Sequence, residues 1–191
     1  MRYGNLTLRV AAMAGAAAIA LSGCAGSAPV QTIDLTAPKA VQGRARGQFV
    51  VGEPVATLPA DSDRIVIRTG PESVAYLTGA QWADRLPRLL QSRLIETFEN
   101  AHLLRSVGRP GLAADYALAT EIRRFEIDVT TSEAVVELSV KQIADGSGRI
   151  VAAKLFSARA PSPVTGPAAM AAALDGALGA VLRQIVGWAG R

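Results

Sequence analysis

Cys24 is the only cysteine in the 191-residue chain, and the residues before it give it a chemistry. Arg2 and Arg9 lie in a short basic segment, residues 10–21 form an apolar run, and Leu21, Ser22 and Gly23 lead directly into the thiol. This is the order of an export signal that ends in a lipobox: a basic start, an apolar stretch too short to span a bilayer, and a small residue at the cleavage point. Gly23 lets a peptidase reach the backbone, and the Cys24 thiol is the nucleophile that takes a diacylglyceryl group. The competing readings are a plain secretory signal with an incidental cysteine and a short buried helix with an inert thiol. Neither requires charge, apolar run, small residues and thiol in this sequence.

Little else in the chain has the residue types for covalent chemistry. His102 is the only histidine. A zinc site or a proton relay needs further ligands or a paired nucleophile, and an acylated Cys24 supplies neither. His102 reads instead as a helix-terminus residue whose ring meets the carbonyl end of the helix dipole. Neither G-x-S-x-G nor a phosphate-binding glycine loop is present. Glu121, Glu126 and Asp128 are acids on one expected strand, where they read as a solvated face or as partners for Arg123 and Arg124. The expectation is a protein without enzymatic activity, cofactor or metal.

Lipidation carries energetic consequences. Each buried methylene contributes about 0.8 kcal/mol of membrane affinity, so one acyl chain anchors marginally and two or more anchor stably. A triacylated Cys24 stays on its membrane. The next residue is Ala25, not the aspartate that commonly holds bacterial lipoproteins at the inner membrane, so the expected place is the periplasmic face of the outer membrane. Residues 1–23 are then a removable signal, 24–30 a lipidated tether and 31–191 one domain, a length that supports an adequate core.

Removal of the signal takes away Arg2 and Arg9 and lowers the formal net charge from +4 to +2. Arginines are scattered from Arg44 to Arg124 among acids, which is not a nucleic-acid footprint. With the single thiol acylated, no disulfide forms and stability rests on packing.

The elements that must present these residues follow from periodicity. Residues 31–36 alternate as a first strand, Phe49 to Val55 form a second with Pro54 at an edge or bulge, and residues 64–68 form a third. Tyr76 and Leu77 are expected in a loop leading to a helix that starts between Ala80 and Asp84 and ends near Ala101. Trp82, Leu86, Leu89, Leu90, Ile95 and Phe98 make its buried stripe. Asp84 as N-cap would leave Pro87 in the first turn, where a missing N–H is harmless. Residues 103–107 suit a short strand.

Further along, Tyr116, Leu118 and Ile122 fall on even positions, whereas Phe125, Ile127 and Val129 fall on odd ones. A β-bulge near Arg123 and Arg124 reconciles them. Residues 134–140 and 150–158 read as a long antiparallel hairpin, and a final helix opens at Pro167 with a stripe from Met170 to Trp188. Its opposite side is mostly alanine and glycine, with Asp175 and Arg183 as the charges. That side either packs on another protein or simply tolerates small residues. The resulting class is α+β: a mixed, mostly antiparallel sheet with two long helices packed on one face.

Tyr76 and Trp82 flank the expected loop, where large aromatics either anchor an interface or cap the core. Here the chain resembles the ABC-type transport auxiliary lipoprotein family, the PqiC-like proteins. The likeness rests on the lipobox at Cys24, the Val74-Ala75-Tyr76-Leu77 segment followed by Trp82-Ala83-Asp84-Arg85-Leu86-Pro87, the Asp115-Tyr116-Ala117-Leu118 strand continuing to Ile122 and Phe125-Glu126, and the closing helix near Trp188. It covers about Thr32 to Trp188. The resemblance implies an accessory, non-catalytic lipoprotein of an ABC transport system that uses an MCE-domain protein, acting in lipid traffic between inner and outer membranes. Tyr76, Leu77 and Trp82, with the sheet edges, become candidate docking surfaces for the MCE-domain protein or for further copies of the chain. Two other classes stay open: a regulatory or structural outer-membrane lipoprotein for cell-wall synthesis or envelope assembly, and a periplasmic hydrolase.

Overall fold

A computed structural model describes residues 30–39, 47–102 and 104–189. The signal, the lipobox residues Leu21, Ser22 and Gly23, and Cys24 lie outside the described residues, as does the tether up to residue 29. In chain order the described elements are β1 (Gln31–Ile33), β2 (Gln48–Val51), β3 (Arg64–Gly70), β4 (Ser73–Trp82), α1 (Leu86–Ala101), β5 (Ser106–Gly108), β6 (Tyr116–Asp128), β7 (Glu133–Ala144), β8 (Arg149–Pro161) and α2 (Pro167–Trp188).

Strand β6 is the spine. One edge carries β7 antiparallel along its whole length, and β7 carries β8. The other edge is shared: β2 runs parallel to residues 116–118 and β3 parallel to residues 126–128. Beyond β2 lies β5, and beyond β3 lie β4 and then β1. Each parallel pairing registers three residues, whereas the β6–β7 and β7–β8 pairings register twelve each, so the mixed sheet is mostly antiparallel by length.

The change of parity on β6 is a bulge. Ile122 sits opposite Leu138 and Arg124 opposite Glu137, leaving Arg123 as the extra residue. Because of it Leu118, Ile122, Phe125 and Ile127 all reach one core, where each is at most 3% exposed. Pro54 acts as expected of a residue without an N–H. The β2 ladder stops before it, and the chain rejoins β6 at Val55, whose N–H donates to Thr120 O at 2.9 Å.

Both helices cover the same face. Leu86, Leu89, Leu90, Leu94 and Phe98 of α1 and nine residues of α2, from Met170 to Val186, are buried. Trp82 meets Phe125 edge-on at 5.8 Å and Trp188 meets Phe156 edge-on at 5.4 Å. In length and apolarity α2 would suit a membrane span, but half of that apolar stretch is buried inside this domain. Gln91 on α1 donates to Val51 O at 2.8 Å and accepts from Arg109, tying helix, strand β2 and the loop after β5 together.

Several expectations are corrected. Residues 73–82 are a strand, not a loop entering a helix; an irregular register against β3 hides the alternation. Tyr76 and Leu77 are therefore strand residues. Trp82 ends β4 instead of opening α1, and the α1 N-cap is Arg85, with Asp84 accepting from the Arg85 N–H at 2.7 Å. Strand β1 stops at Ile33 because Asp34 turns to pair with Arg93 at 2.8 Å. The small-residue side of α2 is partly occupied by the chain itself. Thr36 donates through its N–H and hydroxyl to Asp175 at 2.7 and 2.6 Å, Leu35 is buried, and Asn100 donates to Pro38 O at 3.1 Å. Ala171 is fully buried.

Candidate functional site

Neither described helix covers the second face of the sheet, so what its side chains do depends on one another. Strand β3 reads Arg-Ile-Val-Ile-Arg over residues 64–68, and alternation sends Ile65 toward the core while Arg64, Val66 and Arg68 point outward. Opposite Val66 stands Tyr76. From two residues away Arg64 reaches over that ring, its guanidinium carbon 3.6 Å from the centroid, well inside cation–π range.

The path from Tyr76 to Gln81 takes five residues while β3 needs only two to pass from Val66 to Arg64. The surplus bows β4 outward, and Gly79 makes the turn with a φ of 83°, a left-handed conformation that favours glycine. Between this bow and the start of β1 lies an open groove of about 510 Å³, lined by Val30, Arg64, Leu77, Thr78, Gly79, Ala80 and Gln81. Its size is that of a small-molecule site. The groove lies beside Val30, the first described residue, which places it at the root of the segment leading back to Cys24.

Higher on the same face sits an ionic cluster. Arg68 grips Glu126 with two bonds, Nε to Oε1 at 2.8 Å and Nη2 to Oε2 at 3.0 Å. Arg124 donates to Glu126 at 2.6 Å and to Asp128 at 3.2 Å. Asp128 also accepts from the Thr130 hydroxyl at 2.6 Å and from its N–H at 3.1 Å. Glu126 and Asp128 are buried beneath these arginines. The carboxylate bonded to it holds Arg68 above its ordinary pKa, and the Thr130 hydroxyl, its N–H and Arg124 hold Asp128 below its own against the opposing effect of burial. Positive and negative charges balance, so the cluster joins β3 to β6 and offers no free charge.

Of the expected site residues, Leu77 lines the groove, Tyr76 lies beneath Arg64 at its side, and Trp82 is sent inward. The Trp82 ring is 1% exposed and offers no surface to a partner. His102 is exposed at the end of α1 in a left-handed conformation, its N–H donating to Glu99 O at 3.0 Å. Arg123 pairs with Glu121 at 3.1 Å, whereas Arg124 takes Glu126 and Asp128. Among the described residues no group of three or more His, Cys, Asp or Glu is placed to hold a metal ion. Arg64 and Arg68 were absent from the sequence candidates; their even spacing on one expected strand is the signal that places both on one face.

The fold and site define a class, the two-layer α+β domain with both helices on one side and an open sheet face on the other. The chain belongs to the ABC-type transport auxiliary lipoprotein component family, whose pattern matches residues 32–186 and so takes in all but the first residue of the sheet and nearly all of α2. A protein from Xanthomonas campestris has the same fold, with 31% identity, a TM-score of 0.76 and coverage of 83% of this chain and 94% of that one. A second solved structure, of an uncharacterized protein, shares the fold at 13% identity with a TM-score of 0.68, over 83% of this chain and 97% of its own. An uncharacterized protein of Bradyrhizobium diazoefficiens is 32% identical over 171 residues, which are 85% of this chain. The chain spans about half the length of that curated relative, 46%.

Proposed function

We propose that the protein is a lipid-anchored docking component of an ABC transport system with an MCE-domain substrate-binding protein, serving lipid traffic between the two membranes without catalysis. The observation that carries this reading is the family match across both layers of the fold, joined to the lipobox at Cys24. Acylated Cys24 holds the domain at the periplasmic face of the outer membrane. Energy comes from the transporter's own ATPase, so what this chain must supply is position and a surface.

Tyr76 and Leu77 beside the groove, together with the open sheet edges, are that surface. Strand β8 is such an edge, thirteen residues long and, among the described residues, pairing only with β7. Its three charges, Arg149, Lys154 and Arg159, discourage two like edges from zipping together and favour a partner of opposite charge. The same edges would serve self-association only in a register that separates those cations.

Site-specific cross-linking in cells from Tyr76, in the native protein and in Cys24→Ala, tests the reading after inner and outer membranes are separated. Recovery of an MCE-domain protein from the outer-membrane fraction, lost in Cys24→Ala, is the expected result. Recovery of cell-wall synthases or envelope assembly factors alone, from Tyr76 and from β8 positions, overturns it.

A further inference from the structure

We infer that the groove at the β4 bow takes the headgroup and upper acyl chain of one anionic phospholipid, with Arg64 on the phosphate. This rests on the reading of Cys24 as the membrane anchor and names what the docking surface handles.

Charge is the first argument. On the outer face Arg68, Arg124 and Arg159 are committed to Glu126, Asp128 and Glu133. Arg64 makes no ion pair with any described residue; its guanidinium is exposed and rests on the Tyr76 ring. A stacked guanidinium is fixed in direction and keeps its donor fork free at the rim, the arrangement that suits a phosphate oxygen pair. Behind the rim Val30, Leu77, Gly79 and Ala80 give an apolar lining that suits hydrocarbon, and Thr78 and Gln81 add polar groups that suit a headgroup.

Position is the second argument. Cys24 precedes Val30 by six residues, and even a fully extended chain of that length spans no more than about 21 Å. An acylated Cys24 therefore keeps Val30 and the groove beside it within about that distance of the lipid surface.

The test uses the full chain with its native signal, purified from membranes into detergent micelles that carry a photoactivatable phosphatidylglycerol or the matched phosphatidylcholine, and maps the labelled peptide by mass spectrometry. Phosphatidylglycerol is expected to label residues 64–81 at least ten-fold more than phosphatidylcholine. Arg64→Gln should cut that labelling about ten-fold and Arg64→Lys less. Leu77→Asp, which leaves Arg64 in place, should cut it as well, and Arg88→Gln, an equal loss of charge on α1, should not. Equal labelling by both lipids, an equal loss in Arg88→Gln, or labelling confined to other segments overturns the inference. Intact mass of the purified protein reports acylation of Cys24 separately, so an unmodified thiol defeats the anchoring reading while the micelle labelling still judges the groove.

Discussion

Arg68 reaches diagonally across the parallel β3–β6 pairing, in which it registers with Asp128, and joins Glu126 by two bonds of 2.8 and 3.0 Å. Glu126 is 4% exposed, and its Oε1 also accepts from Arg124. Two guanidiniums thus depend on one buried carboxylate. Glu126→Ala should destabilise the domain by about 2–3 kcal/mol, below the loss for a wholly buried pair because both arginines are a quarter exposed and can take water. Urea unfolding measures this. The double variant Arg68→Met with Glu126→Leu should recover part of the loss, since neither charge is then left unpaired.

Asp128 gives the domain an acid-sensitive limb. Hydrogen bonds from Thr130, with Arg124, depress its folded pKa below the ordinary 3.8. A depressed carboxylate contributes stability above its unfolded pKa and loses it as pH falls through the folded value. Melting temperature should therefore drop below about pH 4, and Asp128→Asn should flatten that drop while lowering stability at neutral pH. An acid limb of unchanged steepness in Asp128→Asn would assign the sensitivity to other groups.

The bulge at Arg123 can be tested by removal rather than replacement. Arg123 is exposed, so Arg123→Ala should change stability by no more than about 0.5 kcal/mol. Deletion of Arg123 shifts the parity of everything after it, turning Phe125 and Ile127 to the open face and Arg124 and Glu126 toward the helices. That chain should fail to fold, as soluble yield and circular dichroism would report.

His102 holds a φ of 51° at the end of α1. A side chain in that conformation costs about 1–2 kcal/mol relative to a right-handed one, a cost that glycine avoids. His102→Gly should raise stability by up to about 1 kcal/mol in urea without altering partner cross-linking.

Core truncation sets the scale for these effects. Leu94 is fully buried beneath α1, and Leu94→Ala should cost about 2–5 kcal/mol through lost transfer energy and the cavity left behind. Urea midpoints would rank it above the charge variants.

The sequence by itself determined the parts governed by local rules. The parity change on β6 could only be a bulge, because a strand cannot bury both even and odd positions on one face. The 3.6-residue stripes fixed α1 and α2, and Pro54 and Pro87 fell where a missing N–H is tolerated. The proposed lipobox at Leu21-Ser22-Gly23-Cys24 rests on residue order alone, since those residues lie outside the described ones. Tertiary structure decided the rest, since it rests on pairings between distant segments. Strand β4 has no clean alternation of its own; it is a strand because β3 and β1 accept its hydrogen bonds, and its surplus residues become the groove wall. Trp82 fits a helical stripe and a strand end equally well, and only the space beside Phe125 settles which. Glu126 read as a solvated acid or a partner for Arg123 and Arg124; Arg124 does pair with it, but only the fold brought Arg68 to it from a segment 58 residues away. Arg64 likewise gained its direction only when the β3–β4 register set the Tyr76 ring beneath it.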